Sequence, residues 1–146
     1  MKFLKQYSLL LTLLAMFMPT LSQAADIAVN AEARVFNPEI VYIELGDTVK
    51  FNNMTSHNAV TYVAPEGSKG FGTKGELPGG SFSATPDKEG IYGYACEPHI
   101  GFGMVGVIVV GPVTQEMKDA AKKKAMETLE GPFKRIIGKI NKIEVK

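Results

Sequence analysis

Cys96-Glu97-Pro98-His99-Ile100-Gly101-Phe102-Gly103-Met104 lies between two short apolar runs at 91–95 and 105–110. A strand, a tight loop and a second strand therefore carry the only cysteine of the chain, one of its two histidines and a methionine, in the order C-x2-H-x4-M. Thiolate, imidazole and thioether make a soft donor set, which suits copper. Two imidazoles and a thiolate in a plane, with a long, weak methionine bond, form the copper arrangement used for electron transfer. The loop lacks a second imidazole. The remaining histidine, His57, lies 39 positions before Cys96, as a ligand from a neighbouring strand would.

Each of these residues has an ordinary structural explanation. A single cysteine behaves as a small buried hydrophobe, Met104 ahead of an apolar run packs in a core, and an isolated histidine is structural. Together, one geometry consumes every Cys and His of the chain. Glycines on both sides of Phe102 let the loop curl, because glycine tolerates backbone angles other residues avoid. The reading demands that the imidazole of residue 57 lie within about 6 Å of the Cys96 sulfur, since such ligand bonds are about 2 Å long.

The same residues resemble the cupredoxins, and among them the pseudoazurins. The resemblance rests on Ser56-His57-Asn58, Gly46-Asp47-Thr48-Val49, the nine residues 96–104 and the apolar run after them, and it extends over about 26–111. A lysine-rich helical tail is a further pseudoazurin trait. The resemblance implies a type 1 blue copper protein holding one copper ion through His57, Cys96, His99 and Met104. It implies a mobile one-electron carrier rather than an enzyme, with a cytochrome donor and a reductase or other acceptor docking transiently near His99. It also implies that Asn58 ties its strand to the ligand loop. The chain departs from the family in one respect. Pseudoazurins ring the docking patch with lysines, one of them just before the cysteine, where this chain has Ala95. Lys69 and Lys74 are the candidates to replace part of that ring. A copper storage or delivery protein remains the alternative, although such proteins favour exposed Met- or His-rich sites with open coordination.

The 146-residue chain begins with Lys2 and Lys5, an apolar run over 9–18, Pro19, and Ser22-Gln23-Ala24. A positive start, a short apolar segment and a small-x-small triplet are the marks of a secretory signal peptide, and about ten apolar residues are too few to span a bilayer. The expectation is a leader over 1–24, cleavage after Ala24, and a soluble, monomeric protein in the periplasm. Export sharpens the reading of Cys96. In an oxidising compartment a structural cysteine has a disulfide partner, and this one has none in the chain.

Charge divides the mature chain in two. Residues 26–111 hold 5 basic and 10 acidic residues, whereas 112–146 hold 9 and 5. A basic appendage thus follows an acidic body. Export and the lack of aromatics among the basic residues argue against nucleic acid as a partner.

Alternating or apolar segments at 26–36, 39–45, 48–53, 57–63, 81–85, 91–96 and 105–110 are separated by turn signals, which predicts an all-β, antiparallel Greek-key β-sandwich over 25–111. In 39–45, Ile40, Tyr42 and Leu45 compete with Val41 and Ile43 for the core face. Residues 64–80 contain six glycines and two prolines and predict an irregular loop. In 112–146, Thr114 can cap a helix over 115–130. Its apolar face is Met117, Ala120, Ala121, Ala125 and Leu129, and Phe133, Ile136, Ile137 and Ile140 form a second one. This C-terminal helical extension is expected to pack on the sandwich.

Overall fold

A computed structural model describes residues 23–145; most of the expected leader, 1–22, lies outside the described residues. Among the described residues, eight strands form two four-stranded sheets. They are β1 Asp26–Glu32, β2 Val35–Asn37, β3 Ile40–Ile43, β4 Thr48–Asn52, β5 Val60–Val63, β6 Ser81–Ala84, β7 Gly90–Ala95 and β8 Val105–Val110. One sheet has the order β2-β1-β4-β6 and the other β3-β8-β7-β5. The β-sandwich is as expected, but the sheets are mixed rather than purely antiparallel. β1 pairs parallel to β4 and β3 parallel to β8, so each sheet contains one pair joined by a crossover.

The long segment 26–36 is not one strand. The chain turns at Ala33-Arg34, with Ala33 at φ 47°, and β2 folds back on β1 with Glu32 opposite Val35. In β4, Val49 and Phe51 face inward, with Lys50 outward. In β3 the contest is settled for Val41 and Ile43. Tyr42 and Leu45 are exposed, and Ile40 packs against the tail instead.

Two apolar layers hold the molecule together. Between the sheets lie Val29, Phe36, Phe51, Tyr92, Tyr94, Cys96, Met104 and Ile108, with Phe71 of the glycine-rich loop inserted against the aromatic rings. Behind the second sheet, Ile91, Ala95, Val105, Val107 and Val109 meet the C-terminal extension. Every residue of β7 and β8 is buried for this reason: a strand covered on both faces has no solvent side on which to place polar residues. Gly106 faces Tyr94 across the ladder, and a Cβ there would lie 2.3 Å from the Tyr94 hydroxyl. Only glycine leaves room for that ring.

The extension consists of α1 Gln115–Thr128, a short 3-10 helix Gly131–Lys134 and α2 Arg135–Asn141. Thr114 caps α1, its hydroxyl accepting from the Met117 N–H at 3.3 Å, and this satisfies one of the donors a helix start leaves unpaired. Met117, Ala121, Ala125 and Leu129 turn toward the sheet; Ala120 is exposed. Ile136 and Ile140 are fully buried. Lys139 forms an ion pair with Glu39, fastening α2 to the start of β3.

Candidate metal centre

The four singled-out residues come from two places. His57 stands just before β5, and Cys96, His99 and Met104 follow β7. The loop between β7 and β8 is itself a 3-10 helix, Glu97–Phe102, with Pro98 in its first turn. It closes at Gly103, which has φ +86° and donates its N–H to Ile100 O at 2.9 Å. Left-handed backbone of this kind favours glycine. Gly103 therefore explains one of the two loop glycines. Below the turn, Cys96 N–H donates to Met104 O at 3.0 Å, so the hairpin closes between the two sulfur-bearing residues.

Cys96 Sγ lies 3.5 Å from His57 Nδ1 and 3.4 Å from His99 Nδ1. One donor atom of each residue falls within 4.8 Å of the others. Three donors at the corners of a triangle, each about 2.0–2.3 Å from a common centre, stand about 3.6 Å apart. The two edges that meet at Cys96 Sγ match that triangle, so the side chains present fit a metal ion of the type 1 class. Met104 is fully buried in the same apolar layer as Cys96. His57 is 6 % exposed and Cys96 0 % exposed, whereas His99 is half-buried. One imidazole alone reaches the surface.

Burial pushes the Cys96 thiol up, against the backbone N–H groups of Asn58 and His99, which favour the thiolate. Burial and then the neighbouring His99 lower His57, so its ring is held neutral. A neutral imidazole is the ligating form.

Asn58 is buried and joins the two ligand-bearing segments. Its Oδ1 accepts from the Glu97 N–H at 2.8 Å, and its Nδ2 donates to Glu97 Oε2 at 2.8 Å and to Glu76 O at 3.2 Å. The expected tie between strand and ligand loop is thus present, and Glu97 is its other half. Glu97 also accepts from the Tyr62 hydroxyl and, at 2.7 Å, from the Gly75 N–H. Burial pushes the Glu97 carboxyl up, but Gly75, Tyr62, Asn58 and Lys74 together outweigh it and leave the carboxyl below its ordinary value. The Tyr62 hydroxyl is raised by burial and by this carboxylate, so it stays a donor. The glycine-rich loop, whose role the sequence leaves open, therefore buttresses the centre through Gly75 and Glu76.

Around the exposed edge of His99 lie Pro98 and Phe102, the latter 60 % exposed, with its ring centroid 6.3 Å from that of the imidazole. Ile100 turns inward to the tail. The cations beside Phe102 and Gly101 are arginines. Arg34, at the β1–β2 turn, stands 4.5 Å over the Phe102 ring, and Arg135 donates to Gly101 O at 3.4 Å. Lys74 lies 5.0 Å over the Tyr62 ring. No local sequence signal marks Arg34, because the hairpin that brings it here has no Gly, Asn or Pro at its turn.

A sandwich that holds a thiol and two imidazoles at one end, with a methionine closing the loop, defines a small copper protein of the cupredoxin class. The profile of the copper-binding proteins of the plastocyanin/azurin family matches residues 23–111, and the chain belongs to that family. It is 37% identical to a pseudoazurin of Paracoccus pantotrophus over 112 residues, covering 71% of this chain and 74% of that one. It is 40% identical to a plastocyanin of Scenedesmus fuscus over 89 residues, 56% of this chain and 91% of the relative. Among solved structures, native pseudoazurin from Hyphomicrobium denitrificans superposes with a TM-score of 0.61 at 31% identity, covering 82% of this chain and 98% of the other. Pseudoazurin from Methylobacterium extorquens AM1 gives 0.59 at 30% identity, with 75% and 90% covered. Within the family, the chain is a cupredoxin of the pseudoazurin type, and copper is its cofactor.

Proposed function

We propose that His57, Cys96, His99 and Met104 hold a single copper ion, and that the chain is an exported one-electron carrier in the periplasm, freed of its leader by cleavage after Ala24. The triangle of donor atoms around Cys96 Sγ carries the reading. Copper in such a site supplies one-electron chemistry by cycling between Cu(II) and Cu(I). The protein's residues keep that exchange inexpensive by moving little. His57 is set by its buried place before β5 and the Met54 O that accepts its N–H at 3.2 Å. Cys96 is set by the hairpin and by Asn58. Buried sulfur donors and a closed ligand set leave no position for a substrate, which separates a carrier from a copper enzyme and from a delivery protein with open coordination.

Partners dock at the face bearing His99, Phe102 and Pro98, where an apolar patch is flanked by Arg34 and Arg135. Small interfaces suit brief encounters, and the two arginines favour an acidic rim on the partner even though the sandwich as a whole is acidic. The test is to load the full mature chain with copper and record its visible spectrum and voltammogram. An intense thiolate-to-copper band and a reversible one-electron wave with metal retained are expected. Rapid loss of Cu(I) to an acceptor chelator, without a reversible wave, would favour delivery and overturn the carrier.

A further inference from the structure

The C-terminal extension does more than cover the second sheet. Its middle segment, 131–135, meets the ligand loop directly through Arg135 and indirectly, through Tyr62, on the other side of His99. On one side the Phe133 ring packs on Tyr62, with centroids 4.4 Å apart. The Tyr62 hydroxyl donates to Glu97, the residue after Cys96. On the other side Arg135 donates to Gly101 O, and its side chain fills the space beside Gly103, 2.4 Å from where a Cβ would stand. Between them, Ile100 packs into the apolar layer shared with Phe133 and Ile136.

The loop needs such support. It is a single 3-10 helix of six residues, a form whose hydrogen bonds are poorly aligned. The bond that ends it, Met104 N–H to His99 O, is long at 3.4 Å. Left to itself it would not hold Cys96 and His99 to the small tolerance a metal site requires.

We infer that the C-terminal tail is a clamp on the metal centre, with Phe133, Tyr62 and Arg135 as positioning residues for the loop that carries Cys96 and His99. The inference rests on the copper-site reading above, but its mechanical part does not depend on metal. Tyr62→Phe keeps the ring stacked on Phe133 and removes only the hydroxyl's tie to Glu97. Phe133→Leu keeps an apolar side chain and removes the aromatic contact. Met117→Ala loosens the far end of the tail, away from the loop, and serves as the control.

The experiment uses the full mature chain, metal-free and copper-loaded. Amide hydrogen exchange on the metal-free proteins reads the loop directly. Tyr62→Phe should speed exchange at Glu97 and Gly103 by about tenfold, the scale of losing a hydrogen bond to a charged group, and Phe133→Leu by about fivefold, the scale of losing an aromatic pair, while Met117→Ala leaves both within twofold. In the copper-loaded proteins the first two variants should lose metal to a chelator faster by a similar factor. They should also change the intensity ratio of the visible bands, which a merely structural role would not move. Loop exchange that is unchanged in Phe133→Leu, or equally faster in Met117→Ala, overturns the clamp. If the unaltered chain shows no visible copper band, the copper-site reading falls instead, and metal-free exchange still decides the clamp.

Discussion

Replacing Asn58 with alanine removes three hydrogen bonds at once, and the structure sets the scale of the loss. One goes to the Glu97 carboxylate at 2.8 Å, one comes from the Glu97 N–H at 2.8 Å, and one goes to Glu76 O at 3.2 Å. A bond to a charged partner contributes about 1.5–3 kcal/mol and a neutral one about 1 kcal/mol. Glu97 is half-buried, so water replaces part of the charged bond. The net expectation is a loss of about 3 kcal/mol in the metal-free protein, out of a total stability of about 5–15 kcal/mol. For a domain of this size that corresponds to a fall in Tm of about 10 °C. Urea denaturation followed by circular dichroism measures it, with the slope unchanged if the native state keeps its compactness. Because Asn58 joins His57 to Cys96, the copper-loaded variant should also release metal faster. A stability loss below about 1 kcal/mol would mean that the bridge between the two segments lies elsewhere, and the account of the site would be wrong.

Two further outcomes follow from groups away from the metal. The Asp47 carboxylate accepts from the Ala25 N–H at 2.7 Å and the Glu44 N–H at 2.8 Å, and these bonds hold its pKa below the ordinary 3.8. Its stabilisation is therefore complete above that value and is lost as pH falls through the lower folded one. Asp47→Asn should lower Tm at neutral pH, with the gap to the parent closing on acidification; a gap constant with pH would contradict it. The hydroxyl of Tyr94 is fully buried without a hydrogen-bond partner among the described residues. Burying such a group costs about 1–3 kcal/mol, so Tyr94→Phe should raise stability by about 1 kcal/mol in a thermal scan, and a loss of that size would refute the assignment.

Much of the centre was legible in the sequence because its chemistry is concentrated. Scarce donor types at fixed spacing, between an alternating strand and a fully apolar one, admit few arrangements. Thr114 as a helix cap and the inward face of β4 were legible for a similar reason, since each depends on neighbours a few residues away. What stayed hidden depends on distant partners. The Ala33-Arg34 turn lacks turn chemistry, and only the pairing of β2 with β1 forces Ala33 into a positive φ. Nothing local shows that Tyr42 would give up the core for the surface, where its hydroxyl accepts from the Glu144 N–H at 2.9 Å. Glu97 reads as a surface charge next to a ligand. Its use as an inward acceptor appears only when Tyr62, Gly75 and Asn58 are brought to it.

Of the four residues proposed to hold the metal, three are sealed from solvent and His99 alone meets it. In the carrier proposed above, a single doorway means that charge is received and surrendered through the same opening. Donor and acceptor then compete for one surface and are served in turn, never together. Throughput depends on how quickly each visitor departs, so a tighter grip on either one would slow the whole relay.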